Sequence, residues 1–266
     1  MAKAFSASEE RIGEAWLVAD ESIVANGEFA GLSLREALSR VDPNFWGDCP
    51  VATSFPLLVK LLDTSDWLSV QVHPDDDFVA RYELNTGYTG KDEVWIVMEA
   101  GPDARVVYGF ARDLDRAELE DAINNDRLWP LLNVVSVEAG DVIYVPAGTV
   151  HALGPDLLVL EVSQRSDLTY RLYDFGRGRT LDLKKGLDVA KMSKSDLQPL
   201  TMHEEFNLQT RNFNIVTIGK IPFSSSSPFV ITKYSEISRA ELFSAGEVQV
   251  KGHRQRLAAI PNCVER

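Results

Sequence analysis

Apolar residues recur along this chain mostly in short runs broken by turn formers, a pattern that predicts strands far more often than helices. Ala15–Ala19 and Ser22–Ala25 are expected as two short strands around an Asp20–Glu21 turn. Phe55–Leu62 and Trp67–His73 follow, separated by Asp63-Thr64-Ser65-Asp66. Further strands are expected at Glu93–Met98, Arg105–Gly109, Val134–Val137, Val142–Val145, Leu157–Val162 and Thr169–Tyr173. Helical spacing appears at Ser33–Arg40, where Ser33 and Glu36 stand three apart as in a capping box, and at Asp76–Asn85. It appears again in Leu114–Leu132, an insertion between strands rich in Asp, Glu and Leu, and in Leu187–Met192. Lys191–Pro199 is polar and linker-like. Beyond it, Phe206–Ile221, Phe229–Glu236 and Gly246–Ile260 form a second, smaller set of strands, with Ser224–Ser227 as a loop between Pro222 and Pro228. Many short strands with Gly and Pro turns, and no alternating βαβ pattern, predict a mainly β chain built as an antiparallel barrel or jelly roll.

A length of 266 residues can bury a large core, and 45% hydrophobic with 25% charged residues is ordinary for a globular protein. The longest apolar runs are strand-length, well short of the ~20 residues that a membrane-spanning helix requires. Met-Ala-Lys-Ala-Phe-Ser at the start carries no apolar signal core, so a cytoplasmic location is expected. Cys49 and Cys263 are too few for a disulfide framework and are expected as reduced thiols. The net charge of −13 disfavours nucleic acid or an anionic membrane as partner. An anionic small-molecule ligand would need specific Lys or Arg residues to override that field.

Chemistry concentrates in four places. Gly140-Asp-Val-Ile-Tyr-Val-Pro146-Ala-Gly148-Thr-Val-His151 has a glycine before a strand, a Pro and Gly bend ending it, and a histidine opening the next strand. It matches the second cupin motif, Gly-x5-Pro-x-Gly-x2-His, at every fixed position. In Leu68-Ser-Val-Gln71-Val-His73-Pro74, Gln71 and His73 share one strand face, an amide oxygen beside an imidazole. In Gly90-Lys91-Asp92-Glu93, Lys91 and Glu93 likewise share a face, a cation beside a carboxylate. A surface turn, an edge strand or a solvated ion pair would explain any one of these alone. Together, one Gln, two His and one Glu supply a mixed nitrogen and oxygen ligand set suited to zinc or a similar divalent ion. The fourth place is Glu161 to Arg171, where Arg171 could pair with Asp167 or Asp174, or stabilise a developing oxyanion.

Arg11-Ile-Gly-Glu-Ala-Trp16, Phe55-Pro-Leu-Leu, Leu68-Ser-Val-Gln-Val-His-Pro-Asp-Asp76, Lys91-x-Glu93, Val145-Pro-Ala-Gly-Thr-Val-His-Ala-Leu-Gly154 and Ser166-Asp-Leu-Thr-Tyr-Arg171 occur in this order. With these elements the chain resembles type I phosphomannose isomerases of the short bacterial form, from about residue 11 to about residue 192. The resemblance implies a cupin jelly-roll barrel as catalytic domain over 1–195, with a helical insertion at about 112–132, and a smaller cupin-like β domain over 196–266. It implies one Zn2+ per chain held by Gln71, His73, Glu93 and His151, with Lys91, Glu161 and Arg171 as catalytic residues and Ser69 contacting substrate. The implied activity is interconversion of mannose 6-phosphate and fructose 6-phosphate through a zinc-assisted enediolate, with a sugar phosphate as partner and a monomer or dimer as assembly. Two alternatives stand beside it: an isomerase of another sugar phosphate or of free mannose, and a non-catalytic sugar-binding cupin. The family's longer lead containing Trp-Gly-Gly is absent before Arg11, and the C-terminal part ends early for a complete second cupin half.

Overall fold

The computed structural model describes residues 13–202, 206–218, 223–225, 229–233, 240–243, 246–248 and 256–262. They group into two compact units, one built mainly of Leu61–Thr201 and the other of Ala15–Lys60 with the described residues from 202 onward.

In chain order the elements are β1 (Glu14–Val18), α1 (Leu34–Leu38), β2 (Leu57–Thr64), β3 (Val70–Val72), α2 (Asp76–Tyr82), β4 (Glu93–Ala100) and β5 (Arg105–Phe110). Then come α3 (Arg116–Asn124), β6 (Leu132–Ser136), β7 (Asp141–Val145), β8 (His151–Leu153), β9 (Leu157–Gln164), β10 (Tyr170–Tyr173), α4 (Leu183–Val189) and β11 (Leu200–Thr201). The first unit holds two antiparallel sheets, one running β2-β9-β4-β7-β11 and the other β10-β3-β8-β5-β6. Their facing sides share one core. Trp95, Val97, Ile143, Val145, Leu157 and Val159 of the first sheet pack with Val106 and Leu153 of the second. The outer face of the second sheet carries a separate core, where Val72, Val107, Ala152 and Leu172 meet Leu119 and Ile123 of α3 and Leu187 of α4. Adjacent Val106 and Val107 thus enter different cores, as the two-residue period of a strand requires. This two-sheet arrangement is the mainly β jelly roll expected from the turn-punctuated strands, and the cupin-like fold expected from the Gly140–His151 motif.

Several elements differ from the sequence expectation, each for a local reason. Ser22–Ala25 is no strand. Ile23 makes only an isolated bridge to Ser33 and is 65% exposed, so it has no apolar face to bury. The capping box at Ser33 and Glu36 is present, but its helix is only one turn and a half. The Leu114–Leu132 insertion is helical only over α3. Asn125 turns its side chain back onto Asp121, Asp126 takes φ +56, and Trp129–Leu131, with Pro130, forms a 3-10 turn. Lys191–Pro199 is not a free linker. Lys191 N–H donates to the Gly148 carbonyl and Ser195 N–H to that of Phe110, which pins the segment across the second sheet.

In the second unit a sheet follows the order β12 (Asn207–Gln209), β13 (Phe213–Ile218), β18 (Arg256–Pro261), β15 (Phe229–Lys233) and β16 (Ala240–Phe243). β14 (Phe223–Ser225) pairs with β17 (Gly246–Val248), so the serine run begins in a strand. The rest of that run, with Pro222 and Pro228, lies outside the described residues. Cys49 is disulfide-bonded and not the reduced thiol expected. A count of two cysteines argues against a framework of several bridges, not against a single one. Cys263 lies outside the described residues.

Gly148 closes the turn of the cupin motif at φ +86, and a Cβ there would lie 2.9 Å from the Val189 carbonyl. Its N–H donates to the His73 carbonyl at 2.9 Å, so the turn also holds the strand end that carries His73. Gly148→Ala is therefore expected to cost about 1–3 kcal/mol of stability, read as a lower urea midpoint. An unchanged midpoint would show that the turn relaxes freely.

Candidate metal centre

The inner face of the first unit's barrel carries the polar residues singled out in the sequence. Register explains how. On the second sheet Arg171 lies opposite Gln71, Gln71 opposite His151, and His151 opposite Tyr108, giving one row across four strands. On the first sheet Glu93 lies opposite Ser163 and Val145, and Trp95 opposite Glu161. His73 follows β3 two residues after Gln71, where Pro74 ends the strand.

His73, Glu93 and His151 converge, with one ligand atom from each within 4.8 Å of the others; all three are buried. His73 Nε2 lies 3.4 Å from Glu93 Oε2, and His151 Nε2 lies 3.3 Å from Glu93 Oε1. The far nitrogens are committed elsewhere. Nδ1 of His73 sits 2.8 Å from the Leu168 carbonyl, and Nδ1 of His151 sits 2.8 Å from the Thr149 carbonyl. A carbonyl only accepts, so each Nδ1 carries the proton and each neutral Nε2 presents a lone pair. Two imidazole lone pairs thus face the two oxygens of one carboxylate, and Glu93 Oε1 is buried without a hydrogen-bond partner. Acceptors arranged in this way call for a cation between them, and two nitrogens with a carboxylate suit a borderline divalent ion.

Gln71 lies at the edge of this group, its amide nitrogen 3.3 Å from His151 Nε2 and its oxygen accepting from the Ser69 hydroxyl at 3.3 Å. A half-turn of the amide exchanges the two ends, bringing the oxygen to the cluster while Ser69 Oγ becomes the acceptor. Ser69 is buried and bonds Gln71 directly.

Lys91 completes the interior charge balance. Its ammonium donates to Glu93 at 2.5 Å and to Glu161 at 3.0 Å, and it lies 3.3 Å from His73 Nε2. Burial opposes its charge, but attraction to Glu161 and then Glu93 outweighs this and raises its pKa above the usual lysine value. Burial likewise opposes the charge on Glu93, yet Lys91 and the two histidines hold it well below the usual carboxylate range. Burial pushes His73 down to about 4, with the Lys91 charge adding to it against the pull of Glu93. His151 is lowered by burial too, against Glu93 and the Thr149 carbonyl. The resting site is thus two neutral imidazoles, an anionic Glu93 and a cationic Lys91.

Arg171 stands on the inner-face row, its Nη1 donating to the Thr180 carbonyl at 3.0 Å, while Nε is buried without a partner. Asp174, one of the two carboxylates considered for it, is engaged instead by Arg177 and Arg179. Ser163 escaped the sequence reading. It is fully buried and its hydroxyl reaches Glu161 at 3.5 Å; standing two residues from Glu161 in a strand was the available signal.

A jelly roll with an inward-facing His, Glu and His cluster defines a cupin with a candidate metal centre. The family model of the type I phosphomannose isomerase catalytic domain matches residues 2–94. A mannose-6-phosphate isomerase of Streptococcus mutans is 38% identical over 195 residues, covering 70% of this chain and 60% of the relative. The isomerase ManA of Bacillus subtilis is 37% identical over 211 residues, covering 76% and 65%. The crystal structure of the mannose 6-phosphate isomerase from Bacillus subtilis superposes with a TM-score of 0.75 at 26% identity, covering 97% of this chain and 92% of that one. The chain is thus similar to type I phosphomannose isomerases, and its matches span 60–65% of the length of these two curated relatives.

The depressed His73 value sets a pH dependence for metal-free protein. Unfolded histidine gains a proton near its ordinary value of 6.5, while folded His73 stays neutral to about 4. Stability contributed by the neutral ring is therefore present above about pH 6.5 and falls as pH drops from there towards 4. Glu93, depressed in the fold, adds a loss below the carboxylate range. Melting of chelator-treated protein should show a lower Tm at pH 5 than at pH 7.5, and equal values would contradict the buried neutral rings.

Proposed function

We propose that this protein is a metal-dependent aldose–ketose isomerase interconverting mannose 6-phosphate and fructose 6-phosphate. The observation that carries the reading is the meeting of two imidazole lone pairs and one carboxylate at a single buried point, with Lys91 bridging from Glu93 to Glu161. The isomerases named above, similar in sequence and in fold, supply the substrate.

Gln71, His73, Glu93 and His151 would hold one Zn2+ per chain, which on binding supplies Lewis-acid polarisation of the sugar's O1 and O2. The reaction moves a proton between C2 and C1 through an enediolate, so the chain must provide a base, an acid and charge stabilisation. Lys91, held as an ammonium, is an acid and an electrostatic partner in this state, not a base. That leaves Glu161 to take the proton, with Lys91 and Ser163 orienting its carboxylate. Arg171 would face the developing enediolate, since it shares the row of Gln71 and keeps one buried N–H uncommitted. Ser69, bonded to Gln71, would contact substrate at the same edge. A sugar phosphate fits an acidic chain only where cations gather locally, and Lys91, Arg165 and Arg171 come from neighbouring segments of one unit.

Coupled detection of fructose 6-phosphate from mannose 6-phosphate tests the reaction, with free mannose as a parallel arm. Turnover is expected with the phosphorylated sugar, lost with chelator and restored by Zn2+. Metal-loaded protein that fails to turn over would sink the assignment. Arg171→Ala and Glu161→Gln should each lower kcat by at least about 100-fold. Near-normal activity in either variant would remove that residue's role.

A further inference from the structure

Asp92 stands between Lys91 and Glu93 but points away from the barrel interior, as strand alternation demands. It is 5% exposed, and nothing in the proposed chemistry uses it. Its carboxylate accepts from two donors on the segment leading to His151: the Tyr144 hydroxyl at 2.8 Å and the Ala147 N–H at 2.8 Å. Its backbone N–H donates to the Gln164 side-chain oxygen at 2.9 Å, and the Gln164 N–H donates to the Asp92 carbonyl at 3.1 Å. The Gln164 amide nitrogen in turn donates to Asp76 Oδ1 at 3.1 Å, and Asp76 Oδ1 also accepts from Gly90 N–H at 2.9 Å.

These bonds join the segments that carry the candidate ligands. Asp76 opens α2, three residues after His73; Asp92 precedes Glu93; Ala147 lies in the turn before His151. Backbone bonds close the ring, with Lys91 N–H donating to the Pro74 carbonyl and Gly148 N–H to the His73 carbonyl, both at 2.9 Å. A cation site tolerates little error in ligand position, and groups behind the ligands commonly hold that geometry.

We infer that Asp92 is a positioning residue for the metal centre: by clamping Tyr144 and the Ala147 turn to the start of β4, it fixes the separation of Glu93 and His151. This rests on the metal reading above and deepens it. Asp92 touches neither the ion nor the sugar. Its removal leaves every ligand present but lets the turn drift. An amide keeps an acceptor for Ala147 N–H, and the Tyr144 hydroxyl can rotate to accept from its NH2, so Asp92→Asn preserves most of the clamp.

The test uses full-length protein stripped with chelator. Zn2+ affinity is measured by competition with a chromophoric chelator, and Co2+ is titrated to read coordination from its visible spectrum. Asp92→Ala should weaken Zn2+ binding about tenfold or more and alter the Co2+ band intensities. Asp92→Asn should restore most of both. A role in folding alone would lower the Tm of stripped protein but leave the affinity and spectrum as in wild type, and that result overturns the inference. Should Asp92→Ala fail to fold, Tyr144→Phe removes one of the two clamping donors and is expected to weaken Zn2+ about threefold; wild-type affinity there overturns the inference as well. Wild-type protein that binds neither ion would instead overturn the metal reading itself.

Discussion

The interior of this barrel depends on one carboxylate. Glu93 is almost wholly buried, and an isolated buried anion is costly enough that a protein without compensation would hold it neutral. Here the compensation is built in. Lys91 stands on the same strand face with its ammonium against one oxygen, and two imidazoles approach from two other strands. Lys91 is itself shared with Glu161, so one cation links the two buried carboxylates.

That arrangement gives the site its directionality. The Lys91 ammonium donates to Glu93 Oε2, the oxygen that also faces His73, while His151 faces Oε1, and neither imidazole has a proton to share there. Carbonyls at Leu168 and Thr149 keep both rings in the tautomer that makes this so. The site is thus prepared by backbone acceptors on loops, while the candidate ligands stand on or beside strands whose register the surrounding cores enforce. The same strand faces that bury Val106 and Leu153 between the sheets present His151 and Gln71 to the interior, and a one-residue slip would replace them with Val72, Val107 and Ala152 of the outer core.

Much of this was legible in advance, and what was legible shares a cause. Gln71 and His73, or Lys91 and Glu93, fall on a common face because a strand repeats every two residues, and the turn before His151 is written in Pro146 and Gly148. The cupin fold followed from the same short-range signals. Contacts between distant segments were not legible. Nothing local tells that Asp92 reaches across to Ala147, whereas the arginines that take Asp174 and leave Arg171 to a carbonyl stand only a few residues on, at Arg177 and Arg179. Helix lengths were overestimated where an apolar period continued past residues that favour turning back, as at Asn125 and Asp126. Ile23 shows the converse, a strand-like residue left without a partner surface.

The pinned segment after α4 bears on how the barrel is closed. Lys191 is tied to the Gly148 turn and Ser195 to the end of β5, while the Asn133 side chain donates to the Ser195 carbonyl at 3.2 Å. A stretch whose composition reads as a hinge therefore works as a strap over the sheet that carries Gln71, His151 and Arg171. Two lysines within it, Lys191 and Lys194, would otherwise invite tryptic cleavage. Their backbone is held in hydrogen bonds, and a protease must first peel the strap away. Resistance at these two bonds thus becomes a gauge of whether the barrel is shut.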